Sequence, residues 1–286
     1  MAAVLALVAA LAYGAADFYG GLATRRLPAA TVVLRSNSLA FPCLLLANLG
    51  VTGTLTGHDA VAGALAGIGS IAGLLLLFRA LAEGTMSIVA PITAVLAAVV
   101  PMAVGLGTGE RPPLLALTGL PVAMAAVLLL AAPPTAGGGR LAIPRGNLLA
   151  ALGAGLGFGV FFVALDATSD DAGLWPVVVS QAAGIVLLTA FKLVGVGGGS
   201  RSGGARNSAA PQWPAVAASG LFSAVAHVSF LLATRQGLLT LVAVIASLYP
   251  ASTLLLARLF LGERIAGLQQ VGAVLAGVAV VLVSLP

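Results

Sequence analysis

Ten stretches of about 20 mostly apolar residues, separated by short polar segments, fill this 286-residue chain. The first begins MAAVLALVAALAYGAADFYGG, at residue 1. At a rise of about 1.5 Å per residue, some 20 apolar residues in helical form cross the roughly 30 Å hydrocarbon layer of a bilayer. A membrane β-barrel needs alternating segments of about ten residues, and the runs here are continuous, so helices are the expected element. Composition enters as a check. Charged residues make up 7% of the chain, against about 25% in soluble domains, and the mean hydropathy is +1.14. That is too little polar surface to clothe a soluble fold of this length. The predicted class is an all-α integral membrane protein.

The predicted spans are 2–22, 31–50, 60–82, 86–106, 113–131, 147–165, 174–194, 213–233, 238–258 and 266–285. The first lacks a basic leader, so it is read as a span and not as a cleaved signal. Two segments read as linkers: APPTAGGGRLAIPRG (132–146) and the glycine-rich loop 195–212. The loop lacks the Gly-Lys-Ser/Thr ending of a phosphate loop. Cys43 is the single cysteine, so no intrachain disulfide forms, and it reads as a small core residue. The net charge of +5 comes from basic residues scattered between spans, which points to membrane topology and to no nucleic-acid partner.

Gly-Glu-Arg occurs at 109–111 and again at 262–264, an offset of 153 residues. The same offset lays EGTMSIVAPI (83–92) on QGLLTLVAVI (236–245) and Gly119 on Gly272. An offset of 145 lays LAYGAADFYGG (11–21) on LGFGVFFVALD (156–166). The chain thus reads as two repeats of five helices, 1–131 and 147–286, joined by 132–146. Five is odd, so the second repeat is inverted, the arrangement of secondary transporters whose substrate site lies near the bilayer midplane. Each Gly-Glu-Arg is expected to be a hairpin clasp. Gly109 or Gly262 ends a helix, Glu110 or Glu263 accepts from the free N–H groups of the helix that follows, and Arg111 or Arg264 sits at headgroup level.

If side one is the face bearing both termini, its loops carry only Arg111 and Arg235. Side two carries Arg25, Arg26, Arg79, Arg140, Arg145, Lys192, Arg201, Arg206, Arg258 and Arg264. The positive-inside rule places side two in the cytoplasm.

Ionisable groups inside spans are costly and mark cavities or ion pairs. Asp17 lies about 7 Å from the predicted end of the first span and Arg35 about 6 Å from the start of the second. Their similar depth makes an ion pair the expectation, with Arg79 toward the same side. The competing reading is a static pair that fixes helix packing, with Arg79 snorkelling. Tyr13 and Asp17 share a helical face. Their repeat partners are Phe158 and Phe162, so the cavity is expected to have one polar and one aromatic wall, suited to an amphipathic small molecule. Phe158 and Phe162 also fit plain helix packing. His227, with Ser223 one turn before it, is a candidate for substrate binding or proton relay, or a packing residue. Tyr249-Pro250 lies mid-span, where proline frees a carbonyl. Asn37 and Gln181 read as interhelical hydrogen-bonding groups, and the Gly-x-x-x-Gly spacings within 63–67, 69–73 and 153–159 as close helix crossings. No metal-ligand motif and no catalytic set are visible.

These residues bear a resemblance to a known family. Two five-helix halves with Gly-Glu between the last two helices of each, and the closing hairpin LFLGERIAGLQQVGAVLAGVAVVLV (259–283), resemble the EamA-type transporters of the drug/metabolite transporter superfamily. Tyr13-Gly14 stands where that family often has Trp-Gly, Arg35 matches a frequent arginine, and Pro250 matches a mid-helix proline. The first half departs from the pattern: Thr108 replaces a leucine, and Ala97 stands at the position equivalent to Pro250. The resemblance implies transport of small metabolites by alternating access through a cavity lined by helices 1, 3, 4, 6, 8 and 9, as a monomer or homodimer, without metal or organic cofactor. It also implies cytoplasmic termini, opposite to the count of basic residues. Two other functions are carried alongside: a membrane enzyme acting on lipid-linked substrates, with Asp170-Asp171 as its foothold, and a non-transporting membrane subunit.

Overall fold

A computed structural model describes residues 1–82, 86–130, 145–193, 212–262 and 266–285, without the side chains of 78–82 and 86–91. In chain order the helices are α1 (Ala2–Thr24), α2 (Ala29–Leu49), α3 (Gly57–Ala82), α4 (Met86–Gly107), α5 (Leu114–Leu130), α6 (Arg145–Asp166), α7 (Trp175–Leu193), α8 (Trp213–Thr234), α9 (Leu239–Ala246), α10 (Tyr249–Leu261) and α11 (Gly267–Ser284). A short 3-10 turn at Asp170–Ala172 precedes α7. No strand occurs among the described residues. Eight helical segments are long and apolar enough to cross a membrane, α9 and α10 counting together as Leu239–Leu261, and two shorter apolar stretches are Ile92–Gly107 in α4 and α5. The protein is therefore a multi-pass helical membrane protein.

Local chemistry sets the boundaries. Pro28, extended at φ −57° and ψ 135°, starts α2. Thr56 and Asp59 form a capping box at the head of α3: Thr56 Oγ1 accepts from Asp59 N at 3.2 Å, and Asp59 Oδ2 accepts from Thr56 N at 3.1 Å. Gly262 closes α10 in the left-handed region at φ +66°, and Gly109 turns the chain after α4 at φ +98°. The predicted span 238–258 is two helices with a break at Ser247-Leu248, just before Pro250. Proline has no N–H to give the carbonyl of Ala246, four residues back. Ala97 imposes no such loss, and α4 runs unbroken through it.

Packing is inverted relative to a soluble protein. The buried positions are largely alanine, with glycine at the crossings, while Leu46, Leu149, Val186 and Val274 are exposed. Lipid tails are as apolar as leucine, so burying leucine gains little, and small residues let backbones approach. The principal neighbours are α3 with α6, α1 with α8, and α5 with α11, followed by α3 with α7, α4 with α6, α2 with α8 and α1 with α10. Where α3 crosses α6, a Cβ on Gly157 would lie 2.6 Å from the Gly69 carbonyl oxygen and 2.8 Å from Gly73 N. The contacts recur in pairs. Gly119 of α5 sits against Val283 of α11, and Gly272 of α11 against Leu130 of α5. Gly67 of α3 sits on the Ser180 carbonyl of α7, and Gly220 of α8 on the Ser36 carbonyl of α2. Gly159 meets Val100, and the Gly14 carbonyl accepts from Thr253 Oγ1 at 3.1 Å.

Candidate functional site

Helices α1, α6 and α8 bring together an aromatic cluster, from the middle of α1 and the last third of α6 and α8. The Tyr13 ring lies 6.0 Å from Phe162 and 5.7 Å from His227. Phe161 lies 4.9 Å from His227, and Phe162 lies 4.4 Å from Phe230. Phe161, Phe162, Phe230 and His227 are buried. The Tyr13 hydroxyl and His227 Nδ1 are buried too, and neither has a hydrogen-bond partner. Leaving such groups unpaired costs on the order of 1–3 kcal/mol each. Helix α10 crosses α1 nearby: Ser252 Oγ donates to the Ala10 carbonyl at 3.1 Å, and Tyr249 and Pro250 are half-buried on the same helix. Asp17, one turn beyond Tyr13 on α1, retains an exposed surface.

The remaining sequence candidates separate. Arg35 does not pair with Asp17. Its guanidinium lies over the Trp213 ring, 5.3 Å from the centroid, and among the described residues Asp17 has no basic partner. Equal depth did not settle the matter because α2 turns Arg35 toward the start of α8, while Asp17 shares the face of α1 that carries Tyr13. Phe158 is half-buried and lies over Gly73 of α3, where a Cβ would come within 3.1 Å of the ring, so of the two predicted aromatics only Phe162 joins Tyr13. Ser223 is half-buried on α8, one turn before His227. Gln181 Nε2 donates to the Asn37 carbonyl at 3.3 Å. Cys43 is exposed, which corrects its reading as a core residue. The side chain of Arg79, Glu263 with Arg264, and most of both linkers lie outside the described residues.

The first Gly-Glu-Arg also departs from expectation. Glu110 does not cap α5, the helix that follows it. Its Oε1 accepts from Leu239 N at 2.6 Å, and its Oε2 accepts from Thr240 N at 2.9 Å and Thr240 Oγ1 at 2.5 Å. These are the leading N–H groups of α9, which have no acceptor within their own helix. Pro112 and Pro113 separate Glu110 from α5, and the turn at Gly109 sends the carboxylate toward α9. Arg111 is exposed.

On the same face, Asp59 is fully buried and ties α3 to the loop after α6. Beyond its bonds with Thr56, it accepts from Ser169 N at 2.8 Å and Ser169 Oγ at 3.0 Å. Arg235 Nη2 donates to the Ser169 carbonyl at 3.1 Å, and Arg235 Nε lies 3.9 Å from Asp170. Burial lowers the pKa of the Arg235 guanidinium, while Asp170 and Asp59 oppose that shift. Thr54 N donates to the Asp171 carbonyl at 2.9 Å, so Asp170-Asp171 sits in a structural loop contact. Read from the sequence, Arg235 served only to assign topology, and Asp59 and Ser169 were passed over. Thr-Gly-His-Asp before an apolar run was a usable sign of the capping box; nothing local signals Ser169. Among the described residues, no group of three or more His, Cys, Asp or Glu is placed to hold a metal.

A multi-pass helical membrane protein with a buried aromatic–polar cluster between its helices is the class these features define. Residues 145–285, the second half of the chain, match the EamA-like transporter family. A solved crystal structure resembles it with a TM-score of 0.79, covering 99% of this chain and 96% of that one at 17% identity, which shows a shared fold. No curated protein matches the chain in sequence.

Proposed function

We propose that this protein is a secondary transporter, working as an exporter, that moves a small amphipathic metabolite or drug-like solute across the cytoplasmic membrane by alternating access. On this reading it is not an enzyme, and it consists of two inverted repeats, 1–131 and 147–286. The observation that carries the reading is the buried aromatic cluster in which Tyr13 of the first half meets Phe162 and His227 of the second, with the Tyr13 hydroxyl and His227 Nδ1 unpartnered. The paired contacts support the repeat. Gly119 with Val283 becomes Gly272 with Leu130 when 153 is exchanged across the halves. Gly14 with Thr253 becomes Gly159 with Val100 when the offsets 145 and 153 are applied.

Solutes whose levels change between cells with and without the gene identify the cargo, and flux of that solute into liposomes tests the function. Asp17→Asn is expected to lower flux at least several-fold while leaving the folded yield unchanged. Unaltered flux through folded Asp17→Asn protein would remove Asp17 from the translocation path. Proton coupling through Asp17 or His227 is part of the proposal, and flux that ignores an imposed pH gradient would refute it.

A further inference from the structure

The loops 50–56, 108–113, 167–174 and 235–238 converge on side one, the face that carries both termini. The polar contacts described there run between the halves at two places. In one, the Glu110 carboxylate of the first half holds the head of α9 in the second through three bonds of 2.5–2.9 Å. In the other, Asp59 of the first half is bound by Ser169 of the second, and Arg235 braces the Ser169 carbonyl. Gly53 and Gly173 close the space beside this second contact. A Cβ on Gly53 would lie 2.6 Å from Gly173 N, and Gly173 adopts φ +57°. On side two, the ends of α1 and α8 leave between them a cavity of about 630 Å³ lined by Tyr19, Arg25, Arg26, Gln212 and others.

We propose that Glu110 and the Asp59–Ser169–Arg235 group form the seal that closes the protein on side one, and that both contacts part whenever it opens there. This rests on the alternating-access reading. The chemistry suits a reversible seal. Every bond in it joins the halves or braces such a bond, at the membrane surface, so water replaces the lost partners on opening and the net cost stays small. The mid-membrane crossings, made of glycine against backbone, have no such substitute. Glu110 acts as a positioning residue: α9 leads straight to the break before Tyr249-Pro250, so holding its head fixes where α10 crosses α1.

The test needs no knowledge of the cargo. In protein carrying Cys43→Ala and reconstituted in liposomes, amide hydrogen exchange is followed at Leu239 and Thr240. Glu110→Gln is expected to speed exchange there about tenfold by weakening the seal. Thr54→Cys with Asp171→Cys replaces two exposed residues whose backbones already bond across the second contact. Oxidising that pair in the Glu110→Gln background is expected to restore slow exchange, and reduction to release it. Unchanged exchange in Glu110→Gln, or fast exchange that the cross-link leaves untouched, overturns the seal. Once a cargo is known, undiminished flux through fully cross-linked protein also overturns it and leaves the transport reading intact. Absence of flux in every form defeats the transport reading, while the exchange data still judge the contact.

Discussion

Gly157→Ala puts one methyl group at the crossing of α6 and α3. Its Cβ would lie 2.6 Å from the Gly69 carbonyl oxygen, 2.8 Å from Gly73 N and 2.9 Å from Gly73 Cα. All three are backbone atoms, which cannot rotate aside as a side chain does. The first contact is roughly 0.8 Å short of ordinary van der Waals separation, so one helix must shift against the other. Overpacking of this kind costs about 1–3 kcal/mol. Gly277→Ala on α11 is the control, because a Cβ there meets nothing within 4 Å. Both variants share the gain of up to about 1 kcal/mol that alanine brings to a helix over glycine, so their difference isolates the packing. The expected gap of 1–3 kcal/mol is a factor of roughly 5 to 150 in the unfolding equilibrium. Equilibrium unfolding by dodecyl sulfate in mixed micelles, read through Trp175 and Trp213, measures it. Equal stability for the two variants would refute the claim that α3 and α6 are held at glycine-limited distance.

Two further substitutions probe buried polar groups. Asn48 Oδ1 accepts from Leu174 N, the residue just before α7, at 3.2 Å in a buried site. Asn48→Leu is expected to destabilise by about 1–3 kcal/mol and Asn48→Asp, which keeps the acceptor, by less, a ranking the same unfolding measurement checks. Tyr13→Phe removes a buried hydroxyl without a partner, so the empty protein is expected to gain up to about 1 kcal/mol while cargo affinity falls. A loss of stability on Tyr13→Phe in cargo-free protein would show that the hydroxyl is already satisfied.

Much of the fold could be read from the chain because bilayer physics is blunt: a run of about 20 apolar residues has few alternatives to a helix. What the sequence withheld was azimuth and distance. Asp17 and Arg35 lie at matching depths, yet depth along a helix says nothing about the direction a side chain takes around it, and Arg35 turned to Trp213. Glu110 illustrates the second gap. Its partner Leu239 is 129 residues away, and local capping rules look only a few residues along the chain. Tyr13, His227 and Phe162 were each visible as unusual residues in apolar spans, but their meeting depends on how three helices are rotated.

The capping of α9 by Glu110 separates the chain's covalent halves from its mechanical ones. The short helix is encoded after residue 146, yet its leading amides are satisfied by a carboxylate encoded before residue 131. A second half made alone would present those amides at the membrane edge with no acceptor. A protein with only one such half would need another copy, inserted in the opposite sense, to lend it the glutamate. Fragments split at the central linker are therefore expected to be incomplete individually and to find in each other the group each lacks.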